Sequence, residues 1–207
     1  MKNIKIILIS LFVLSCGPED PVLEPIEAMI VTNLHSPTTS EPGQAPSGKF
    51  VKFSFAKQTI VTGDDWDVAF RATTILVNGG FSGGQDEPSR TGLGGGYVTV
   101  GNYGSIKSAD ESLIEQDSET NKAIKLGSGS GWYNYDSQTH LITPIAGRTL
   151  VFKTHNGRYA KMQIMSYYKD SPETPNAFSS QSQYCLLYTS DAADEGLGVD
   201  LGGRRII

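Results

Sequence analysis

The dipeptide Asn156-Gly157 stands between two strand-like runs, 149–153 and 159–168, the second of which alternates apolar and polar residues over 160–164. Asn-Gly is the pair that most readily takes positive φ at both centres of a type I′ turn, whose twist matches two flanking strands. A chain built round such a hairpin must bury one face of a sheet. On the second run Ala160, Met162 and Ile164 share the face expected in the core. Met165 shares the other with Tyr159, Lys161, Gln163 and Tyr167 and is expected partly exposed. The same period of two recurs upstream. Val51, Phe53 and Phe55 lie opposite Phe50, Lys52 and Ser54, and Trp66, Val68 and Phe70 lie opposite Asp67, Ala69 and Arg71. Further strands are expected over 26–34, 97–100, 123–126, 132–135 and 141–145. Helix is scarce: Ser108-Ala109-Asp110-Glu111 has capping-box spacing ahead of Leu113-Ile114, enough for one short helix at most. The expected class is all-β, a single domain of mostly antiparallel sheet with hairpins.

Both ends of the chain have a different character. Lys2 and Lys5 precede an apolar run over 6–14, broken only by Ser10. That run is far shorter than the ~20 residues a bilayer-spanning helix needs. It ends in Val13-Leu14-Ser15-Cys16, which reads as a bacterial lipobox. The expectation is a signal peptide over 1–15, acylation at Cys16, and a Pro- and Glu-rich tether over 16–25. Each buried lipid methylene contributes ~0.8 kcal/mol, so several acyl chains hold such a protein on a membrane. Glu19-Asp20 resemble the acidic export signals of Bacteroidetes surface lipoproteins, which places the protein on the outer membrane, lipid-anchored, at the cell surface.

At the other end, Cys185-Leu186-Leu187-Tyr188-Thr189-Ser190-Asp191-Ala192-Ala193-Asp194-Glu195 resembles translated sequencing adapter. The native domain is therefore expected to occupy 26–184, with 185–207 foreign to it and its final strand missing. One cysteine is then the lipid site and the other lies in the foreign tail, so no disulfide framework is expected. The formal net charge of −5 offers no electrostatic footprint for nucleic acid.

Three Gly-rich segments, 79–84, 92–96 and 127–131, lack the strand-to-helix context of a phosphate loop and read as tight turns and close backbone approaches. There is no Ser-His-Asp order, no HExxH and no metal-spaced cysteine pair, so the chain is not read as an enzyme. His35 falls in an N-terminal loop. His155 directly precedes the Asn-Gly turn and is expected to face solvent. Asp67 reads as a surface or turn-bonding group. Met162 and Met165 read as packing, and Tyr133, Tyr135, Tyr167 and Tyr168 as sheet anchors. His140 differs, because it follows Gly131-Trp132-Tyr133-Asn134-Tyr135-Asp136 at the edge of a loop between two strands.

Four pieces occur in a telling order: Trp66-Asp67-Val68-Ala69-Phe70, Asn78-Gly79-Gly80-Phe81-Ser82-Gly83, Gly131-Trp132, and Asn156-Gly157-Arg158-Tyr159-Ala160-Lys161-Met162-Gln163-Ile164. Together, over residues 50–184, they resemble the HmuY family of haem-capturing surface lipoproteins. The resemblance implies non-catalytic haem binding for iron acquisition, with haem passed to a TonB-dependent outer-membrane receptor. It also implies two axial donors, His or Met, one from 100–110 and one from 136–140. His140 is the strong donor of the second stretch and the expected iron ligand. The first stretch holds neither His nor Met, and Tyr103 is the donor it offers, with Tyr97 nearby. Both are expected to border a greasy cleft in a sandwich-like body. The family would continue past Tyr184 with an aromatic strand, typically Tyr-Thr-Phe-x-Tyr. The alternative is a β-rich surface lipoprotein that binds a glycan, peptide or protein partner without haem.

Overall fold

A computed structural model describes residues 28–40, 44–84 and 86–190. The expected signal peptide, Cys16, the expected tether and residues 191–207 lie outside the described residues. Eleven strands form: β1 (Met29–His35), β2 (Val51–Ser54), β3 (Thr59–Val61), β4 (Val68–Arg71), β5 (Thr74–Val77), β6 (Gly95–Val100), β7 (Tyr133–Asp136), β8 (Leu141–Pro144), β9 (Arg148–Lys153), β10 (Tyr159–Ser166) and β11 (Gln183–Ser190). Every pairing between them is antiparallel. One sheet runs β1-β11-β10-β9-β6, a second runs β3-β2-β4-β5, and β7-β8 form a separate hairpin. The fold is all-β, as the alternation requires.

The two larger sheets face each other across one core. Phe53, Phe55, Val68, Phe70, Ile75 and Val77 of one meet Leu150, Phe152, Ala160, Met162, Ile164, Leu186 and Tyr188 of the other. Ring pairs cross the gap: Phe55 to Phe152 at 5.6 Å, Phe53 to Tyr188 at 5.8 Å and Phe70 to Tyr184 at 4.9 Å between centroids. Such pairs add roughly 0.5–1.5 kcal/mol each beyond the area they bury. Trp132 extends this cluster towards the small hairpin, touching Tyr167 and Tyr184 and donating its indole N–H to the Thr73 carbonyl at 3.0 Å.

Several expectations are corrected. Trp66 does not share the Val68–Phe70 face: the chain bends at Asp67, and the indole joins Phe50, Ala69 and Leu76 on the back of the smaller sheet. No strand forms over 123–126. Its N–H at Ala123 is drawn onto the buried Asp117 carboxylate at 2.8 Å, which also holds Arg90 and the Val77 N–H. The capping box at Ser108 is not used. Asp110 caps instead, accepting from Ser112 N at 3.0 Å, and the helix is a single 3-10 turn at Glu111–Leu113.

The Asn-Gly hairpin is not a two-residue I′ loop. Only Gly157 has positive φ (86°), Gly157 N bonds the Thr154 carbonyl at 3.0 Å and Thr154 N bonds the Arg158 carbonyl at 2.7 Å. This is the three-residue loop closed by a left-handed glycine bulge. Tyr167, expected beside Met165, packs in the main core, because a register shift between Ile164 and Ser166 turns the strand end.

Residues 183–190, most of them in the segment expected to be foreign, occupy a closing strand position. β11 fills the slot between β1 and β10, with Tyr184, Leu186 and Tyr188 buried on the core side. Its alternating sequence is what such a slot selects, since any strand there gains two ladders of backbone hydrogen bonds and an apolar face.

The Gly-rich segments do serve close backbone approach. A Cβ at Gly79 would sit 1.9 Å from the Gly94 carbonyl oxygen. The Asn78 amide ties the two segments together, donating to Asp64 and Trp66 carbonyls and accepting from Thr91 and Gly92 N–H groups.

Candidate functional site

The β7–β8 hairpin carries the sequence-predicted iron donor. Its four-residue strands pair in register from Tyr133 opposite Pro144 to Asp136 opposite Leu141. Asp136 shapes the turn: its carboxylate accepts the N–H of Gln138 at 2.7 Å and of Thr139 at 3.3 Å. Those donors hold its pKa below the usual carboxylate range, and the nearby His140 ring adds to the effect. His140 ends the turn in a left-handed conformation, φ 58°. That backbone swings its imidazole back onto Tyr135, where Nδ1 lies 2.6 Å from the phenol oxygen. Tyr135 is anchored by its own N–H on Ser128 Oγ at 2.8 Å. Both rings face solvent, Tyr135 with 44% of its surface exposed. The hairpin is pinned to the body where Ile142 N donates to the buried Tyr168 hydroxyl at 2.8 Å.

Tyr103 is placed elsewhere and differently. It opens a short 3-10 turn, Tyr103–Ser105, in the segment that covers the outer face of the larger sheet. Lys161, only 2% exposed, lies beneath: Nζ donates to the carbonyls of Tyr103 at 3.0 Å and Ile106 at 2.8 Å and sits 4.4 Å from the Tyr103 ring centre. Burial depresses the pKa of Lys161, and Lys107 lowers it further. The Tyr103 hydroxyl itself is buried, and burial raises its pKa against the opposing effect of the Thr189 hydroxyl. Among the described residues no hydrogen bond or ring contact joins Tyr103 to His140.

Lys161 was placed by its alternation on the outer face, and so it is. No local pattern announces that a loop would cover it, or that two carbonyls and an aromatic face would satisfy the ammonium in place of a carboxylate.

Among the described residues His140 stands on an exposed turn rather than in the expected greasy cleft. A hollow of about 390 Å³ of empty space, open to solvent, lies at the β9–β10 turn instead, lined by Phe55, Asp67, Thr154, His155 and Arg158. Here two expectations change. Asp67 is buried, 2% exposed, and accepts from Phe55 N at 2.8 Å, His155 N at 3.0 Å and His155 Nδ1 at 2.7 Å. It bonds a turn, as anticipated, but from the interior rather than the surface. His155 is no free solvent group either, since its side chain is 24% exposed and fixed on that carboxylate. The pair joins the smaller sheet to the β9–β10 turn of the larger one, and so explains why Trp66 is followed by an acid. His35 ends β1, exposed. Among the described residues no group of three or more His, Cys, Asp or Glu side chains is placed to hold a metal ion. An iron held in a porphyrin needs only one or two axial donors, and on this hairpin His140 is an exposed imidazole of that donor type.

The expected strands on either side of His140 form, and the contact of His140 with Tyr135 was not expected. The strand register pairs Tyr135 with Ile142, so the contact comes from the left-handed backbone at His140 rather than from pairing across the hairpin.

A crystal structure from Bacteroides vulgatus ATCC 8482, described as a proposed HmuY-like heme-binding protein, is similar to this chain with 14% identity and a TM-score of 0.44, covering 78% of this chain and 89% of its own. Among curated proteins, none matches the sequence. A sequence profile of the family described as HmuY protein matches residues 47–181, from ahead of β2 to just short of β11. On that match over more than half its length, the chain belongs to the HmuY family.

Proposed function

We propose that this protein binds haem without catalysing a reaction on it, and that the His140 corner of the β7–β8 hairpin supplies the iron donor. Membership of the HmuY family is the observation that carries the reading. The exposed imidazole of His140 supports it, held in one orientation by the left-handed backbone and by Tyr135. A porphyrin laid on this hairpin gains most of its affinity from burying its apolar faces, at roughly 25 cal/mol per Å². Iron coordination then sets orientation. Tyr103 joins as a second donor only if the segment over Lys161 lifts away.

The same reading extends to a lipid-anchored protein at the surface of the outer membrane. There it collects haem for iron acquisition and delivers it to a TonB-dependent receptor. The lipobox at Cys16 and the acidic residues after it support that address.

Titration of the purified chain with haemin tests the proposal. A sharpened Soret band at micromolar haemin, weakened in His140→Ala, is expected; no spectral change at that concentration removes the function. A second reading, recognition of a glycan, peptide or protein without haem, is favoured by the open surface round His140 and by Phe178, 97% exposed in the β10–β11 connection. It predicts a folded protein blind to haemin.

A further inference from the structure

We propose that the segment over 101–110 is a strap covering a second binding site, one that takes a flat apolar anion onto Lys161 when the strap lifts. The site goes beyond the haem reading and does not depend on it, because it uses no residue of the β7–β8 hairpin and no iron.

The strap is fixed at both ends. Gly101 N donates to the Gly147 carbonyl at 2.8 Å, and Thr149 Oγ1 donates to the Gly101 carbonyl at 3.2 Å. At the far end Asp110 N donates to the Tyr97 hydroxyl at 3.0 Å, and Glu111 pairs with Lys153 at 3.4 Å. Between these anchors lies the 3-10 turn Tyr103–Ser105, in which no residue is buried. The sheet below is the reverse. Val151, Tyr159 and Lys161 are 0%, 3% and 2% exposed, and Tyr97, Ile106 and Ala109 pack against the first two. A segment that buries its neighbours without being buried itself can open apart from the sheet, since local opening gives up few buried contacts.

Lys161 holds the middle of the strap, through the two carbonyls and the Tyr103 ring above it. Buried ammonium groups are normally paired with an acid. Among the described residues no carboxylate pairs with this one. Lys107, on the strap itself, is instead near enough for the two positive charges to repel.

Strand register sets what opening uncovers. Tyr97 pairs with Val151, and Val151 with Lys161, so the three stand in one row across β6, β9 and β10. Two strand spacings make that row about 10 Å long. With the strap raised, Lys161 gives up two carbonyls and ends an apolar shelf bordered by the Tyr159 ring. A ligand that satisfies rings and ammonium together is flat, apolar and negatively charged. Its charge also relieves the repulsion between Lys161 and Lys107.

Anilinonaphthalene sulfonate and its neutral counterpart phenylnaphthylamine, titrated into the full chain and read by fluorescence, test the proposal. Wild type is expected to bind a single sulfonate per chain and the neutral probe roughly 10–100-fold more weakly, the worth of one hydrogen bond to a charged group. Lys161→Met, shown folded by near-ultraviolet circular dichroism, is expected to bring the sulfonate down to the level of the neutral probe. Equal affinity of wild type for the two probes overturns the proposal. So does sulfonate binding that Lys161→Met leaves unchanged, or no sulfonate binding at all. The comparison of probes on wild type decides the matter even where Lys161→Met fails to fold. Amide shifts locate the probe: movement over 97–110 and 149–161 with the β7–β8 hairpin unmoved is expected, and movement confined to other segments overturns the assignment.

Discussion

Replacing Asp67 by alanine should destabilise the fold severely while leaving the β7–β8 hairpin intact. The carboxylate accepts three hydrogen bonds, two of them from backbone N–H groups, and the one from Phe55 is buried. Each stranded buried donor costs roughly 1–3 kcal/mol, with bonds to an ionised acceptor at the strong end, so the substitution should cost about 3–5 kcal/mol. For a domain of this size that is a fall of roughly 10 °C in Tm. His155→Ala gives the internal control. It removes only the imidazole bond and leaves the 155 N–H on Asp67, for a loss of about 1 kcal/mol. Urea unfolding followed by circular dichroism and tryptophan fluorescence measures both, with the m-value checked for constancy. An Asp67→Ala loss below about 1 kcal/mol, or one no larger than that of His155→Ala, would refute the idea that this acid is a backbone clasp.

The remaining predictions concern the same sandwich. Burial raises Tyr167 and Tyr188 to about 12 and Tyr184 well above its ordinary value of 10.0. Their neutral forms are favoured only in the folded state, so the stability they contribute is complete below pH 10 and is lost as pH rises towards 12. Alkaline titration at the tyrosinate absorbance band should show them ionising together with unfolding; gradual ionisation of all nine tyrosines without unfolding would contradict this. Lys161 is shifted downward by burial, so the unfolded chain binds more protons than the folded one between its lowered pKa and 10.5. Its penalty should therefore fade as pH rises through that window, and the stability gap between wild type and Lys161→Met should shift in favour of wild type there. Leu186→Ala should cost about 2–5 kcal/mol if β11 is a true member of the sheet, as a buried leucine in a central strand; a loss under about 1 kcal/mol would show the strand undocked.

How far the fold was legible follows from where the information lies. Alternation at Val51–Phe55, Val68–Phe70 and 159–164 reports burial directly, and those strands formed with the expected faces. β3 and β5, three and four residues long, are too short to carry a period and are held by their neighbours. The segment over 123–126 has the apolar content of a strand, and Ala123 and Ile124 are indeed buried, but Asp117 claims its backbone. Asp67 shows the deeper limit. Its partners lie 12 and 88 positions away, and no local pattern announces that a carboxylate will clasp two distant N–H groups. At the candidate site, His140 was legible because it follows a Gly-Trp strand and ends a polar turn. Tyr103 was named because it was the donor type present in its stretch, and the structure gives that ring to Lys161. The pairing of Tyr135 with His140 depends on a left-handed φ at His140, which composition does not display.

Crystals of the chain grown with haemin, with iron located by its anomalous scattering, test the central claim most directly. The account predicts an iron peak at bonding distance from the His140 imidazole on the β7–β8 hairpin. Iron bound at the β9–β10 hollow beside His155, or no ordered iron at all, would contradict it.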